Sequence, residues 1–309
     1  MEDDMPLDMH ADSRRPDSPA TRSRAFRDLL SSPDLTFLME AHNALSARIV
    51  EEAGFPAIWA LGLSVATALG LRDANEASWT QVLDVVEFMA DATRVPILIN
   101  GDTGYGNFNN VRRLVRKLGT IGVAAVCLED KLFPKMNSFV GERQPLADVA
   151  EFCGRIAAGC DARLDDNFSI VARVEALIAG HGMDEALRRA EAYHRAGADA
   201  ILIHSKRAEP DEILAFAQRW GNRAPVVIVP TKYYRTPAAA YRGAGISTVI
   251  WANHNMRASI SAMSRLCRRI RDDEAIAGVE DEIATLDQVF AMLDYDELAH
   301  AEGVYLPAT

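Results

Sequence analysis

The 309-residue sequence predicts an α/β chain, a single (β/α)8 barrel with extra C-terminal helices. Three observations predict it. Short apolar, β-prone runs alternate with helical patterns along the chain. Glycines precede several of these runs, where a left-handed residue would end a helix. Polar or ionisable residues follow nearly every run, as at the active rim of an α/β enzyme. An open, doubly wound sheet would share the alternation, but no GxGxxG follows the first strand.

Residues 1–24 hold Pro, Ser, Asp and Arg without periodicity and read as a mobile tail, leaving 25–309 as one domain. A first helix begins over 25–30, and Ser31-Ser32-Pro33-Asp34 breaks it. Strands follow at 36–39, 57–60, 96–99, 123–128, 169–172, 200–204, 226–229 and 248–251. Gly54, Gly122, Gly197 and Gly245 stand before the second, fourth, sixth and eighth. Helical patterns occupy 81–90, 111–119, 183–196 and 211–220, and one or two further helices fall within 279–302.

The formal charge of −11 argues against nucleic acid or an anionic membrane as partner. If the substrate is an anion, that global field opposes it, so local cations or a metal must reverse it. No apolar run reaches membrane-spanning length, and the first 17 residues lack the apolar core of a signal peptide. Cys127, Cys153, Cys160 and Cys267 show no CxxC spacing and fit reduced thiols in a cytoplasmic protein.

Residues just after the strands of a barrel share one face. Here they include Glu40-Ala-His-Asn43, Leu61-Gly-Leu-Ser64, Asn100-Gly-Asp102, Glu129-Asp-Lys131, Arg173-Val-Glu175, His204-Ser-Lys206, Pro230-Thr-Lys232 and Asn253-His-Asn255. One such end is an ordinary surface loop; eight in register specify a site. The densest is Glu129 to Ser138, where two carboxylates, two lysines and an asparagine fall within nine residues. Asn100, Asp102 and Glu129 supply oxygen ligands on adjacent strands, which suits Mg²⁺, although Asp102 could instead cap the next helix. Gly101, Gly104 and Gly106 permit close backbone approach. Arg173 ends a strand with no charge among the four preceding residues, so it needs an anionic partner and reads as a ligand group. His204 reads equally as a ligand contact or a hydrogen-bonded core histidine. Trp59 reads as core or as the floor of a small pocket.

With these residues in place, the chain resembles the phosphoenolpyruvate mutase branch of the isocitrate lyase superfamily, over about 25–305. The resemblance rests on Asp102-Thr-Gly-Tyr-Gly-Asn-Phe-Asn-Asn110, Glu129-Asp-Lys-Leu-Phe-Pro-Lys-Met-Asn-Ser138, Arg173-Val-Glu-Ala176 and Pro230-Thr-Lys-Tyr-Tyr234. It implies a Mg²⁺-dependent isomerase of phosphonate biosynthesis. The reaction moves a phosphoryl group within one molecule, from the enol oxygen of phosphoenolpyruvate to C3, giving phosphonopyruvate. It also implies a homodimer or homotetramer whose last barrel helix is exchanged between subunits. Residue by residue, Asp73 matches the catalytic aspartate, and Asp102 and Glu129 match the metal-shell acids. Lys135 and Asn137 match a gating loop, and Arg173 and His204 match the groups holding the migrating phosphoryl. Backbone amides near Gly62 and Leu63 match a carboxylate or oxyanion cradle.

Two departures stand out. The family usually has Ser at the place of Leu61 and Asp at the place of Asn100, the main metal ligand. Met136 and His181 also replace residues common in the branch. The departures keep open a mutase on an isosteric oxyanion ester, such as arsenoenolpyruvate giving arsonopyruvate, and a non-catalytic binding homologue. A phosphonopyruvate hydrolase is the other alternative, and Asn137 argues against it because related hydrolases differ there. A C–C lyase of the methylisocitrate type would need a reactive Cys in a KxCGH-like loop, which this sequence lacks.

Overall fold

The computed structural model describes residues 18–141 and 144–306. Eight parallel strands close into a barrel in sequential order: β1 Thr36–Ala41, β2 Ile58–Ala60, β3 Ile97–Asn100, β4 Ala125–Glu129, β5 Ser169–Val174, β6 Ala200–Ile203, β7 Val226–Ile228 and β8 Thr248–Trp251. Closure is made by β1 on β8, with Thr36 opposite Thr248 and Met39 opposite Trp251. Helices alternate with the strands: α1 Pro19–Ser31, α2 Ala44–Glu52, α3 Gly62–Ala68, α4 Trp79–Ala92, α5 Phe108–Thr120, α6 Val149–Asp161, α7 Gly182–Arg195, α8 Asp211–Trp220, α9 Ala238–Gly243 and α10 His254–Asp273. Two further helices follow, α11 Leu286–Met292 and α12 Tyr295–Tyr305. Among the described residues, no helix is long and apolar enough to cross a membrane.

The four anticipated glycines all take left-handed φ values, 85° at Gly54, 77° at Gly122, 107° at Gly197 and 72° at Gly245. Strand side chains alternate between two apolar clusters. Leu38, Trp59, Leu98, Cys127, Val171 and Leu202 fill the barrel interior. Ile58, Ile99, Val126, Ile170 and Ile203 face the helical ring.

The tail expected over 1–24 does not extend to residues 18–24. Residues 1–17 lie outside the described residues, but Ser18 caps α1, and helix runs through Arg22 and Ser23. Polar composition misled because these side chains are buried. Arg22 donates to the carbonyls of Thr93 and Gly122, which precede β3 and β4. Phe26 and Leu30 join the barrel-interior cluster. Helix α1 therefore closes the N-terminal mouth, and the opposite face is left for a site.

The chain divides into two compact units after Met256. At the end of the first, Glu40 accepts from the Met256 amide at 3.1 Å and pairs with His42 at 2.7 Å. The strand-end carboxylate of β1 is thus committed to the first turn of α10. In the second unit α11 and α12 bury no residue among those described, and Leu286, Phe290, Leu293 and Leu298 are exposed.

Asp130 also holds the fold. Its carboxylate accepts from the Glu175 amide (2.8 Å), the Tyr193 hydroxyl (2.7 Å) and Arg189 Nη1 (3.1 Å). These bonds tie the ends of β4 and β5 to α7. Burial pushes its carboxyl up to about 6 against those donors, and the nearby Glu175 charge adds to the rise.

Candidate active site

At the C-terminal ends of the strands lies a cavity of about 50 Å³. Leu61, Leu63, Asp73, Asn100, Glu129, Lys135, Asn137, Arg173 and His204 line it, each a residue the sequence singled out. Gly62 lies directly behind, where a Cβ would stand 3.2 Å from Asn100 Nδ2, 3.3 Å from Asp102 Oδ1 and 3.7 Å from Asp73 Oδ1. Glycine lets α3 come that close to the acids without crowding them. Leu61 is the N-cap of α3 and offers no side-chain cap, so the first-turn amides at Gly62 and Leu63 stay available as donors. Trp59 does not line the cavity. It is wholly buried in the barrel interior, because its side chain lies among the inward-facing residues of the neighbouring strands. Ser138, Phe139, Val229, Thr231, Ala252 and Asn253 complete the lining. Sequence reasoning assigned these no role, although Thr231 and Asn253 stand at strand ends and Ser138 closes the Glu129–Ser138 motif.

Two constellations face the cavity. The first joins the loop after α3 to the segment after β4. Lys135 Nζ lies 2.9 Å from Asp73 Oδ1 and 2.6 Å from Asp102 Oδ1. Asn137 Nδ2 donates to Asp73 Oδ2 at 2.6 Å. Asn75 accepts from the Lys135 amide at 2.6 Å and donates to Asp102 Oδ2 at 2.8 Å. Lys135 is 5 % exposed, so its charge is offset only by acids. The loop that carries Asp102 is strained: Asp102 and Tyr105 hold φ of 49° and 57°.

The second constellation centres on Glu175. Its carboxylate accepts from Arg173 Nε, lies 2.9 Å from His204 Nδ1, and accepts from Ser138 Oγ at 2.7 Å. Arg173 Nη2 reaches Ser138 Oγ at 3.1 Å and His204 Nδ1 at 2.8 Å. Lys131 Nζ donates to Ser138 Oγ at 2.7 Å and to the Met136 carbonyl at 2.9 Å. Arg173 and His204 are thus both oriented by Glu175, a role the sequence did not disclose. Phe139 stacks edge-on against His204 at 5.3 Å, and Lys232 Nζ stands over the Phe139 ring, 5.0 Å from its centroid.

Electrostatics separate the acids. Burial would raise the Asp73 carboxyl, but Lys135, with hydrogen bonds from Lys135 and Asn137, holds it below its usual value. Burial pushes Asp102 up to about 6, opposed by Lys135 and reinforced by Glu129 and Asp73. Burial also opposes the charge on Lys135, yet the three acids lift it well above the ordinary lysine range. Glu175 is held well below the usual carboxylate range by Arg173 and His204 in spite of its burial. Burial and the Arg173 charge together lower His204, which favours neutral imidazole.

Among the described residues, no three His, Cys, Asp or Glu side chains are gathered so as to hold a metal by themselves. Two carboxylates and an amide nevertheless suit Mg²⁺, which binds through one or two carboxylates, water and substrate oxygens. Two observations make the donor set fit. The Lys135 ammonium stands on Asp102 as a substitute cation. Glu129 Oε1 is buried without a hydrogen-bond partner. Asn100 fits less well, because its Oδ1 already accepts from the Asp102 amide at 3.2 Å.

Comparison with known proteins agrees with this geometry. The phosphoenolpyruvate phosphomutase family model matches residues 26–271. A phosphoenolpyruvate phosphomutase of Tetrahymena pyriformis is 55 % identical over 290 residues, covering 94 % of this chain and 97 % of that one. The crystal structure of the Streptomyces platensis subsp. rosaceus phosphoenolpyruvate phosphomutase superposes with a TM-score of 0.91 at 47 % identity, covering 92 % of this chain and 99 % of that chain. A phosphonopyruvate hydrolase solved with oxalate and Mg²⁺ is more distant, at 38 % identity and a TM-score of 0.88, covering 93 % and 99 %. The chain belongs to the phosphoenolpyruvate phosphomutase family.

Proposed function

We infer that this protein is a phosphoenolpyruvate mutase, an isomerase interconverting phosphoenolpyruvate and phosphonopyruvate. One observation carries the reading. Under a single cover, the oriented pair Arg173 and His204 lines the same small cavity as Asp73, Lys135 and Asn137. The reaction breaks the bond between phosphorus and the C2 oxygen and forms one between phosphorus and C3. The C2 oxygen becomes a carbonyl, and no proton is gained or lost. A loose, metaphosphate-like transition state asks for positioned charge and for exclusion of water. We assign Arg173 and His204 to the migrating phosphoryl, because Glu175 holds both in place and Ser138 steadies Arg173. We assign the Gly62 and Leu63 amides to a substrate oxyanion, and Asp73 to anchoring the cover through Lys135 and Asn137.

Asp102, Glu129 and Asn100 would hold Mg²⁺, which would supply positive charge to offset that of the anionic substrate. The cavity of about 50 Å³ falls far below the roughly 300 Å³ or more of an open ligand pocket. We therefore treat the segment from Lys131 to Gly141 as a lid that must lift to admit substrate. Its outward Leu132, Phe133, Met136 and Val140 are exposed, and few apolar contacts oppose its opening.

A retuned substrate, such as the arsenic analogue, is the second reading, favoured by Leu61 in the cavity wall and Asn100 in place of an acid. The test is conversion of phosphonopyruvate to phosphoenolpyruvate across a magnesium titration, by wild type, Leu61→Ser, Asn100→Asp and the double variant. For the mutase, wild type turns over well, and Asn100→Asp tightens Mg²⁺ by about tenfold through a charged hard ligand. An inactive wild type rescued only in the double variant would establish the retuned pocket, because residues sharing one site couple.

We assign the protein a homodimer or homotetramer with an exchanged C-terminal helix. Support comes from α10, whose one buried residue among those described is Met256, and from the exposed apolar side chains of α11 and α12. Light scattering during gel filtration is expected to give at least twice the 33.8 kDa chain mass. A monomer at micromolar concentration would refute the assignment. The four free cysteines are consistent with a cytoplasmic location.

A further inference from the structure

We propose that Asn75 is a positioning residue that couples the closed lid to the carboxylate of Asp102. The proposal rests on the lid reading above. Asn75 lies in the loop between α3 and α4 and touches both parts with one side chain. Its Oδ1 accepts from the Lys135 main-chain amide at 2.6 Å, and its Nδ2 donates to Asp102 Oδ2 at 2.8 Å. Lys135 therefore meets Asp102 by two routes. Its ammonium lies 2.6 Å from Oδ1, and its amide reaches Oδ2 through Asn75.

The two routes respond to different things. A lysine ammonium on a flexible stem can leave by changing rotamers while the main chain stays down. The hydrogen bond from the Lys135 main-chain amide to Asn75 exists only while the lid's main chain is down. Asn75 thus senses the lid backbone and passes that state to Asp102. When the lid lifts, the carboxamide loses its anchor and Asp102 Oδ2 loses its fixed donor.

The residue type suits this task. Asn75 holds φ of 55°, a left-handed position that asparagine and glycine tolerate better than most residues. A carboxamide also carries a donor and an acceptor on one planar group. Aspartate would keep the acceptor but set a second negative charge against Asp102. Asp73, two positions earlier, receives Lys135 Nζ and Asn137 Nδ2, so one short loop meets the lid at three points.

Hydrogen exchange of the full-length protein, followed by mass spectrometry without substrate, tests the coupling. Asn75→Gly preserves the left-handed backbone and removes both bonds. It is expected to speed exchange across 131–141 by about tenfold, with peptides of β3 and β4 unchanged. Asn75→Asp is expected to speed lid exchange as well, because the donor to Asp102 becomes a repelling charge. In both variants kcat/KM for phosphonopyruvate should fall by about tenfold, as the closed fraction falls. Wild-type exchange in the lid of Asn75→Gly would overturn the proposal. So would an increase shared by β3 and β4, which would mark a general structural role. Unchanged exchange in Asn75→Asp would remove the link to Asp102. If the lid loosens as expected but wild type does not turn over phosphonopyruvate, the latch stands and the functional reading fails.

Discussion

Arg173→Lys is expected to lose about 10³-fold in turnover of phosphonopyruvate while remaining folded. The substitution keeps the charge and removes the fork. Arg173 spends Nε on Glu175 and Nη2 on Ser138 and His204. Lysine has one nitrogen and cannot meet three partners while presenting a further donor to a phosphoryl group. His204 would then lose one of the two groups that fix its ring, so the damage spreads beyond one contact. Glu175 keeps Lys131 and Ser138, which limits the cost in stability. The measurement is steady-state kinetics beside thermal unfolding. Activity within a few-fold of wild type, at unchanged unfolding temperature, would reduce Arg173 to a structural ion-pair partner.

Asn137→Ala is expected to cut turnover by about 10²-fold with little loss of stability. Its amide donates to Asp73, its Oδ1 accepts from the Phe139 amide at 3.0 Å, and its main-chain carbonyl accepts from Gln144 at 3.1 Å. Alanine removes the first two contacts and leaves the third. The lid then closes without its anchor, and Phe139 is no longer set over His204. Water that reaches the migrating phosphoryl would divert it to phosphate and pyruvate. The fraction of substrate hydrolysed should therefore rise even as total turnover falls. Phosphate release measured beside phosphoenolpyruvate formation tests both parts. Near wild-type turnover with no added phosphate would remove Asn137 from the lid mechanism.

The architecture was legible because it is written in local signals. A buried parallel strand is a short apolar run, and a helix that must turn back into one ends in a left-handed residue. Gly54, Gly122, Gly197 and Gly245 carried that signal, and each holds a positive φ. Strand ends of a barrel share a face by topology alone, so the sequence already groups Asn100, Glu129, Arg173 and His204, which line one cavity. Even there, position did not settle use. Glu40 stands at the end of β1 and serves α10, and Lys206 at the end of β6 donates to the Ile178 carbonyl.

Contacts between distant segments were not legible. Polar Arg22 and Ser23 read as tail, yet they are buried because carbonyls near residues 93 and 122 accept from that arginine. Trp59 reads as core or pocket, and only the closed barrel decides that its ring belongs to the interior. Asn75 meets Lys135 across 60 positions, and Ser138 meets Glu175 across 37. Sequence by itself determined the order of elements, the rim and the types of charge on it, because propensity and periodicity act over a few residues. Tertiary structure decided which of those groups orient one another, because a hydrogen bond depends on distance and direction in space and not on spacing along the chain.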